Sequence, residues 1–118
     1  MNIEEIRAYC IAKPFTTEGF PFDETTLVFK VHGKMFALLN LDAPHSINLK
    51  CDPDRAIQLR EQYEEIIPGY HMNKQMWNTV NLHGFLNDEL LMELIDHSYE
   101  LIWNGLPKKL KGDDKPSL

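Results

Sequence analysis

Cysteine is scarce: Cys10 and Cys51 are the two in a chain of 118 residues. Two thiols without short spacing build neither a disulfide framework nor a zinc knuckle, so both are expected as free, semi-buried side chains. Long apolar runs are missing too, and no stretch approaches the roughly 18 residues that suggest a membrane span. The opening MNIEEIRAYC carries two glutamates where a secretory signal would carry lysines and then an apolar run. A cytoplasmic location without membrane contact is the expectation. Positive charge is in the minority, with 12 Lys and Arg against 18 Asp and Glu and a formal net charge of −6. Generic nucleic-acid binders carry a basic footprint that neutralises phosphates. Any DNA contact by this chain therefore requires local clustering of its nine lysines and three arginines.

Catalytic signatures are absent as well. Gly33, Gly69, Gly84 and Gly105 are isolated turn glycines and form no phosphate-cradling loop. The five histidines, at 32, 45, 71, 83 and 97, include no i, i+4 pair and none beside a CxxC, which leaves no zinc motif. His97 and Ser98 are neighbours on a helical stretch, where adjacent side chains diverge, so they do not read as a nucleophile and its base. No cofactor is called for, and a non-enzymatic protein is the expectation.

What is present is an ordered alternation of periods. Ile3, Ile6 and Cys10 mark one face of a helix over about 2–13, ended by Pro14. Residues 14–26 hold two prolines, a glycine and three phenylalanines and read as a loop, with Phe15, Phe20 and Phe22 pinning it over a core edge. Strands follow at 27–31 and 34–41 around His32-Gly33, a two-residue hairpin signal. In that register Phe29 faces Phe36, and Leu27, Phe29, Val31, Phe36 and Leu38 share one side. A third strand at 46–52 turns Ile47, Leu49 and Cys51 inward and Asn48 and Lys50 outward.

Asp52-Pro53 opens a second helix, with aspartate as cap and proline at the first turn. Its apolar spacing runs through Ala56, Leu59 and Tyr63 to Ile66 or Ile67, before Pro68-Gly69. Trp77 to His83 alternates as a fourth strand, Val80 and Leu82 inward. Asn87 caps a last helix with the stripe Leu91, Leu94, Ile95, Ser98, Leu101 and Ile102, closed by Gly105. The order αβββαβα, with three strands in succession, implies an α+β two-layer sandwich: a mainly antiparallel four-stranded sheet with helices on one face. Residues 1–111 form one domain, expected as a monomer, and 112–118 a polar tail that frays.

A single helical layer leaves the second sheet face open. By strand parity, Lys30, Asn48, Lys50, Trp77, Thr79 and Asn81 point to that face. His71 and Lys74 lie in the loop that leads into it. Lysines, amides and an aromatic on a bare sheet are what stacking on bases or anchoring a partner protein would use. The same features also serve a plain structural role, as solubilising lysines and gap-filling rings.

The segments PFDETTLVFKVHGKMFALLNL, INLKCDP, PGYHMNKQMWNTVNL and SYELIWNGLPKKLK resemble the MmcQ/YjbR family of small bacterial proteins over about residues 1–111. That resemblance implies a frataxin-like (CyaY-like) α+β sandwich. It also implies DNA as a ligand, through likeness to a double-wing transcription-factor domain, and brings no catalytic residues. The matched positions of interest are Lys30, Lys34, Phe36, Lys50, His71, Lys74, Trp77 and Ser98-Tyr99. DNA binding by Lys30, Lys34, Lys50, Lys74 and Trp77 is the leading expectation. A protein partner on the same face is the alternative, and metal binding by exposed carboxylates such as Glu4 and Glu5, as a frataxin-like fold implies, a third.

Overall fold

A computed structural model describes residues 1–111, so the expected polar tail at 112–118 lies outside the described residues. Helix α1 (Ile3–Ile11) is followed by strands β1 (Thr16–Gly19), β2 (Thr26–Val31), β3 (Lys34–Asn40) and β4 (Ser46–Lys50). Then come α2 (Pro53–Gln62), β5 (Ile66–Pro68), β6 (Trp77–Asn81), α3 (Asp88–Asn104) and the short α4 (Lys108–Lys111). The architecture is α+β, as expected, but the sheet has six strands in the order β1-β2-β3-β4-β6-β5, every neighbouring pair antiparallel.

The two extra strands are the edges. Thr16–Gly19, expected as part of a loop, pairs with β2, Thr16 opposite Val31. A two-residue reach past Pro14 is enough to add a strand, and Arg7 on α1 grips Glu18 with Nε at 2.9 Å and Nη2. Phe15, Phe20 and Phe22, expected to pin a core edge, are all exposed, but the Phe15 ring stacks on His32 and on the buried Trp103. At the other edge, helical spacing over-ran the helix. The α2 helix ends at Gln62, Tyr63 is extended at φ −124°, and Ile66 enters the sheet opposite Val80.

Local chemistry sets the helix starts. Asn2 and Glu5 form a reciprocal capping box on α1, Asp52 caps α2 ahead of Pro53, and Asn87 caps α3 by accepting from the Leu90 amide at 2.8 Å. The His32-Gly33 turn has positive φ at both positions, 47° and 80°, so the hairpin twists with its strands. The register then departs from expectation. A bulge at Phe36 puts Phe29 opposite Ala37, not Phe36, and Val28 opposite Leu38. Ala37 and Leu39 therefore face the helices, and Leu38 moves to the other side, because one inserted residue inverts the parity of everything beyond it.

Ile6 and Cys10 of α1, Ala56 and Leu59 of α2, and the buried stripe of α3 form one core with the inner sheet face. The α3 stripe includes Tyr99 and Trp103 beside Leu91, Leu94, Ile95 and Ser98, while Leu101 and Ile102 are only partly buried. Ser98 fastens α3 to two strands at once: its Oγ donates to the Phe36 carbonyl at 2.6 Å and accepts from the Lys50 amide at 2.8 Å. Both cysteines are free and buried.

Candidate functional site

The outer sheet face is not bare. Leu38 is 7% exposed and Thr79 5%, although no helix covers them. Two loops do. Residues 20–25 rise beside β2, and residues 69–76 fold back over β4 and β6. The second loop is tied down at several points. Gly69 N donates to Trp77 O at 2.8 Å, Tyr70 N donates to Thr79 Oγ1 at 2.9 Å, and Lys74 Nζ donates to Gly69 O at 3.2 Å. Arg60 of α2 reaches across to it, Nε on Asn78 Oδ1 at 2.7 Å and Nη2 on the Lys74 carbonyl. A Cβ at Gly69 would lie 2.8 Å from Trp77 Cβ and 2.9 Å from its carbonyl oxygen, so glycine is required for this close approach.

Between the loops runs a groove of about 490 Å³. Phe22 and Asp23 form one wall, Tyr70, His71 and Met72 the other, and Asn40, Ser46 and Asn48 are part of its floor. The Asp23 carboxylate caps the loop by accepting from the Thr25 amide at 3.0 Å and the Thr26 amide at 2.6 Å. Those amide bonds, chiefly, hold it below the usual carboxylate range. No lysine or arginine lines the groove.

Strand parity had placed Lys30, Lys50, Trp77, Thr79 and Asn81 on one face, and the register agrees: Lys50 stands opposite Trp77, Asn48 opposite Thr79 and Ser46 opposite Asn81. Position along the strands separates them. Lys30 is next to the last residue of β2, Lys34 the first of β3, Lys50 the last of β4, and Trp77 the first of β6. In an antiparallel sheet these are one end. Lys74 precedes Trp77 in the tethered loop. Thr79 sits beneath that loop and bonds Asn48 and Tyr70, which makes it structural support for the wall. Asn81 lies at the opposite end, and His71 is an exposed wall residue of the groove with φ 59°.

The helices bring more positive charge to the Trp77 end. Trp103, in the last turn of α3, lies with its ring 5.7 Å from His32 and 5.8 Å from Phe15. The chain then runs into Lys108, Lys109 and Lys111. Lys13 lies at this end too, buried against Asp96 and 4.5 Å from the Tyr9 ring centre. Every described lysine thus belongs to one pole of the molecule, where the acids include Asp52, Asp54, Glu93, Asp96 and Glu100. At the other pole gather Glu4, Glu5, Asp23, Glu24, Asp42, Glu64, Glu65, Asp88 and Glu89, with no lysine among the described residues. Lys30, Lys34, Lys50 and Lys74 make no ion pair among the described residues. Nor do three His, Cys, Asp or Glu side chains converge as metal ligands among them, and no described helix is long and apolar enough to cross a membrane.

The groove was not legible in advance. Asp23 and Phe22 sit in a segment that reads only as loop, and no local pattern announces that it faces residues 70–72. A partial signal lay in His71, expected beside the open face by its place in the loop before Trp77, whereas Tyr70 next to it read as a gap-filling ring.

Known proteins of the same kind extend these observations. The chain is 34% identical over 110 residues to the YjbR protein of Escherichia coli (strain K12), covering 92% of this chain and 93% of that protein. It is 36% identical over 107 residues to the YbdF protein of Escherichia coli O157:H7, covering 90% and 88%. A crystal structure of a Deinococcus radiodurans protein superposes with a TM-score of 0.87 at 40% identity, covering 93% of this chain and 85% of the other. One from Pseudomonas syringae does so with 0.75 at 32% identity, covering 86% and 98%. The YjbR family profile matches residues 11–101, so the chain belongs to the YjbR family.

Proposed function

We propose that this protein is a non-enzymatic binding module for a nucleic acid, DNA in the first instance, held at the lysine pole of its sheet. The observation that carries this reading is the gathering of Lys30, Lys34, Lys50 and Lys74 around Trp77, with Lys108, Lys109 and Lys111 at the same end, in a chain of net charge −6. Ammonium groups without carboxylate partners are available to phosphates, and a part-exposed indole supports stacking on or wedging between bases. The opposite, acidic pole repels a polyanion and so orients it on approach.

An electrophoretic shift and fluorescence-anisotropy titration with single- and double-stranded oligonucleotides at low and moderate salt tests this. Binding is expected to weaken with a log–log salt slope of about −0.9 per phosphate contacted on duplex and about −0.7 on single strands. Absence of binding at low salt, where Coulomb attraction is least screened, removes the proposal. Exposed Phe15 at the same pole favours a second reading, a protein partner anchored by apolar contact. That complex would tolerate salt and would be lost on Trp77→Ala, since a buried aromatic anchor outweighs rim charges.

A further inference from the structure

The groove differs from the lysine pole in chemistry, although Met35 of its lining pairs with Lys30. Its floor includes Asn40 and Ser46, at the acidic end of the sheet, where Asp23 and Glu24 precede β2 and Asp42 follows β3. Its volume, about 490 Å³, is in the range of sites for small molecules, which run to roughly 300–1,000 Å³. Three features narrow the occupant. The lining contains one carboxylate, Asp23, and neither lysine nor arginine, with His71 its sole nitrogen base, so it offers an anion no permanent positive charge. Asp23 Oδ2 accepts one bond, from Thr26 Oγ1 at 3.1 Å, and keeps capacity towards the groove. Across from it stands Tyr70, 67% exposed, and beside Asp23 stands Phe22, 64% exposed. Solvent-facing rings on two walls of a small cavity offer their negative π-faces to a cation.

Beneath the rings, Met35, Leu38 and Met72 supply a soft apolar bed. His71 holds φ 59° although it is not glycine. Backbone strain of this kind collects at ligand clamps. Here it sets the pair of rings, Tyr70 and His71, whose centres are 4.1 Å apart.

We infer that this groove binds a small organic cation: an ammonium group on an apolar or aromatic body, the charge held between Asp23 and the Tyr70 ring and the body resting on Met35, Leu38 and Met72. This site does not depend on nucleic-acid binding at the lysine pole.

The experiment is an amide chemical-shift titration with 2-phenylethylammonium, run beside its neutral and anionic analogues, 2-phenylethanol and 3-phenylpropanoate. Saturable shifts are expected at the groove floor, in Asn40, Asn48 and Thr79, with the amine at least about tenfold tighter than either analogue. Tyr70→Ala should weaken the amine about fivefold, and Asp23→Asn about tenfold. Asp23 also caps its loop, so Tyr70→Ala, an exposed change on the opposite wall, is the deciding variant. Three results overturn the inference: no saturable shift up to about 10 mM, where even millimolar binding is visible; equal affinity for the amine and either analogue; or amine binding unchanged in Tyr70→Ala.

Discussion

Ser98 and His97 show how adjacent residues on one helix do different work. The Ser98 hydroxyl is fully buried and both donates and accepts between α3 and the sheet. Ser98→Ala strips a partner from the buried Phe36 carbonyl and the Lys50 amide. A loss of about 1–3 kcal/mol is expected from denaturant unfolding, the usual cost of leaving such groups unpaired. His97 accepts at Nε2 from the Asp52 amide at 3.1 Å. Burial, foremost, and Arg55 push its pKa below the ordinary value of 6.5. The unfolded chain therefore takes up a proton at His97 before the folded one does. Its contribution to stability is full above pH 6.5 and declines as pH falls through the lower folded value. Denaturation midpoints measured between pH 7.5 and 5.5 should fall less steeply in His97→Gln than in the parent. Parallel curves would show that His97 has no part in the dependence.

The β2–β3 hairpin carries the clearest prediction among the elements. A Cβ at Gly33 would meet nothing within 4 Å, yet φ there is 80°. The cost of Gly33→Ala is therefore purely conformational, about 1–2 kcal/mol, readable as a lowered thermal midpoint with an unchanged fold. The clasp between α1 and α3 behaves differently. Tyr9 donates to Asp96 at 2.7 Å and Tyr99 to the Pro14 carbonyl at 2.6 Å, and burial pushes both phenols up to about 12. Phenols that ionise later folded than unfolded stabilise the protein below pH 10, and that contribution is lost as pH rises towards 12. Unfolding followed by phenolate absorbance should show Tyr99→Phe, which keeps the ring on Phe36 and Trp103, with a shallower alkaline decline.

For the whole molecule the decisive property is charge polarity rather than net charge. A chain at −6 with evenly spread lysines would avoid a sulfated polyanion, whereas a lysine pole binds one at low salt. Retention on a heparin column at low ionic strength is expected, and Lys30→Glu with Lys50→Glu should abolish it without altering the circular dichroism. Retention that survives the double change would mean those two lysines are not part of the attracting surface.

Local rules reached far. Caps at Asn2, Asp52 and Asn87, the His32-Gly33 turn and the alternation in β4 and β6 are short-range chemistry, so the helix starts, the antiparallel core of the sheet and the outward parity of Lys50 and Trp77 could be read directly. What escaped was non-local. Ile66 keeps helical spacing but joins β6, because sheet pairing outweighs a weak periodicity at a helix end. Leu38 changes face because of one bulged residue, and Thr16–Gly19 becomes a strand only because β2 offers an open edge. By itself the sequence determined the helix starts, the four central strands and the α+β fold class, since these depend on spacing along the chain. Only the tertiary structure decided that the lysines share a pole and that two loops wall a groove over the sheet, because both depend on which strand ends meet in space.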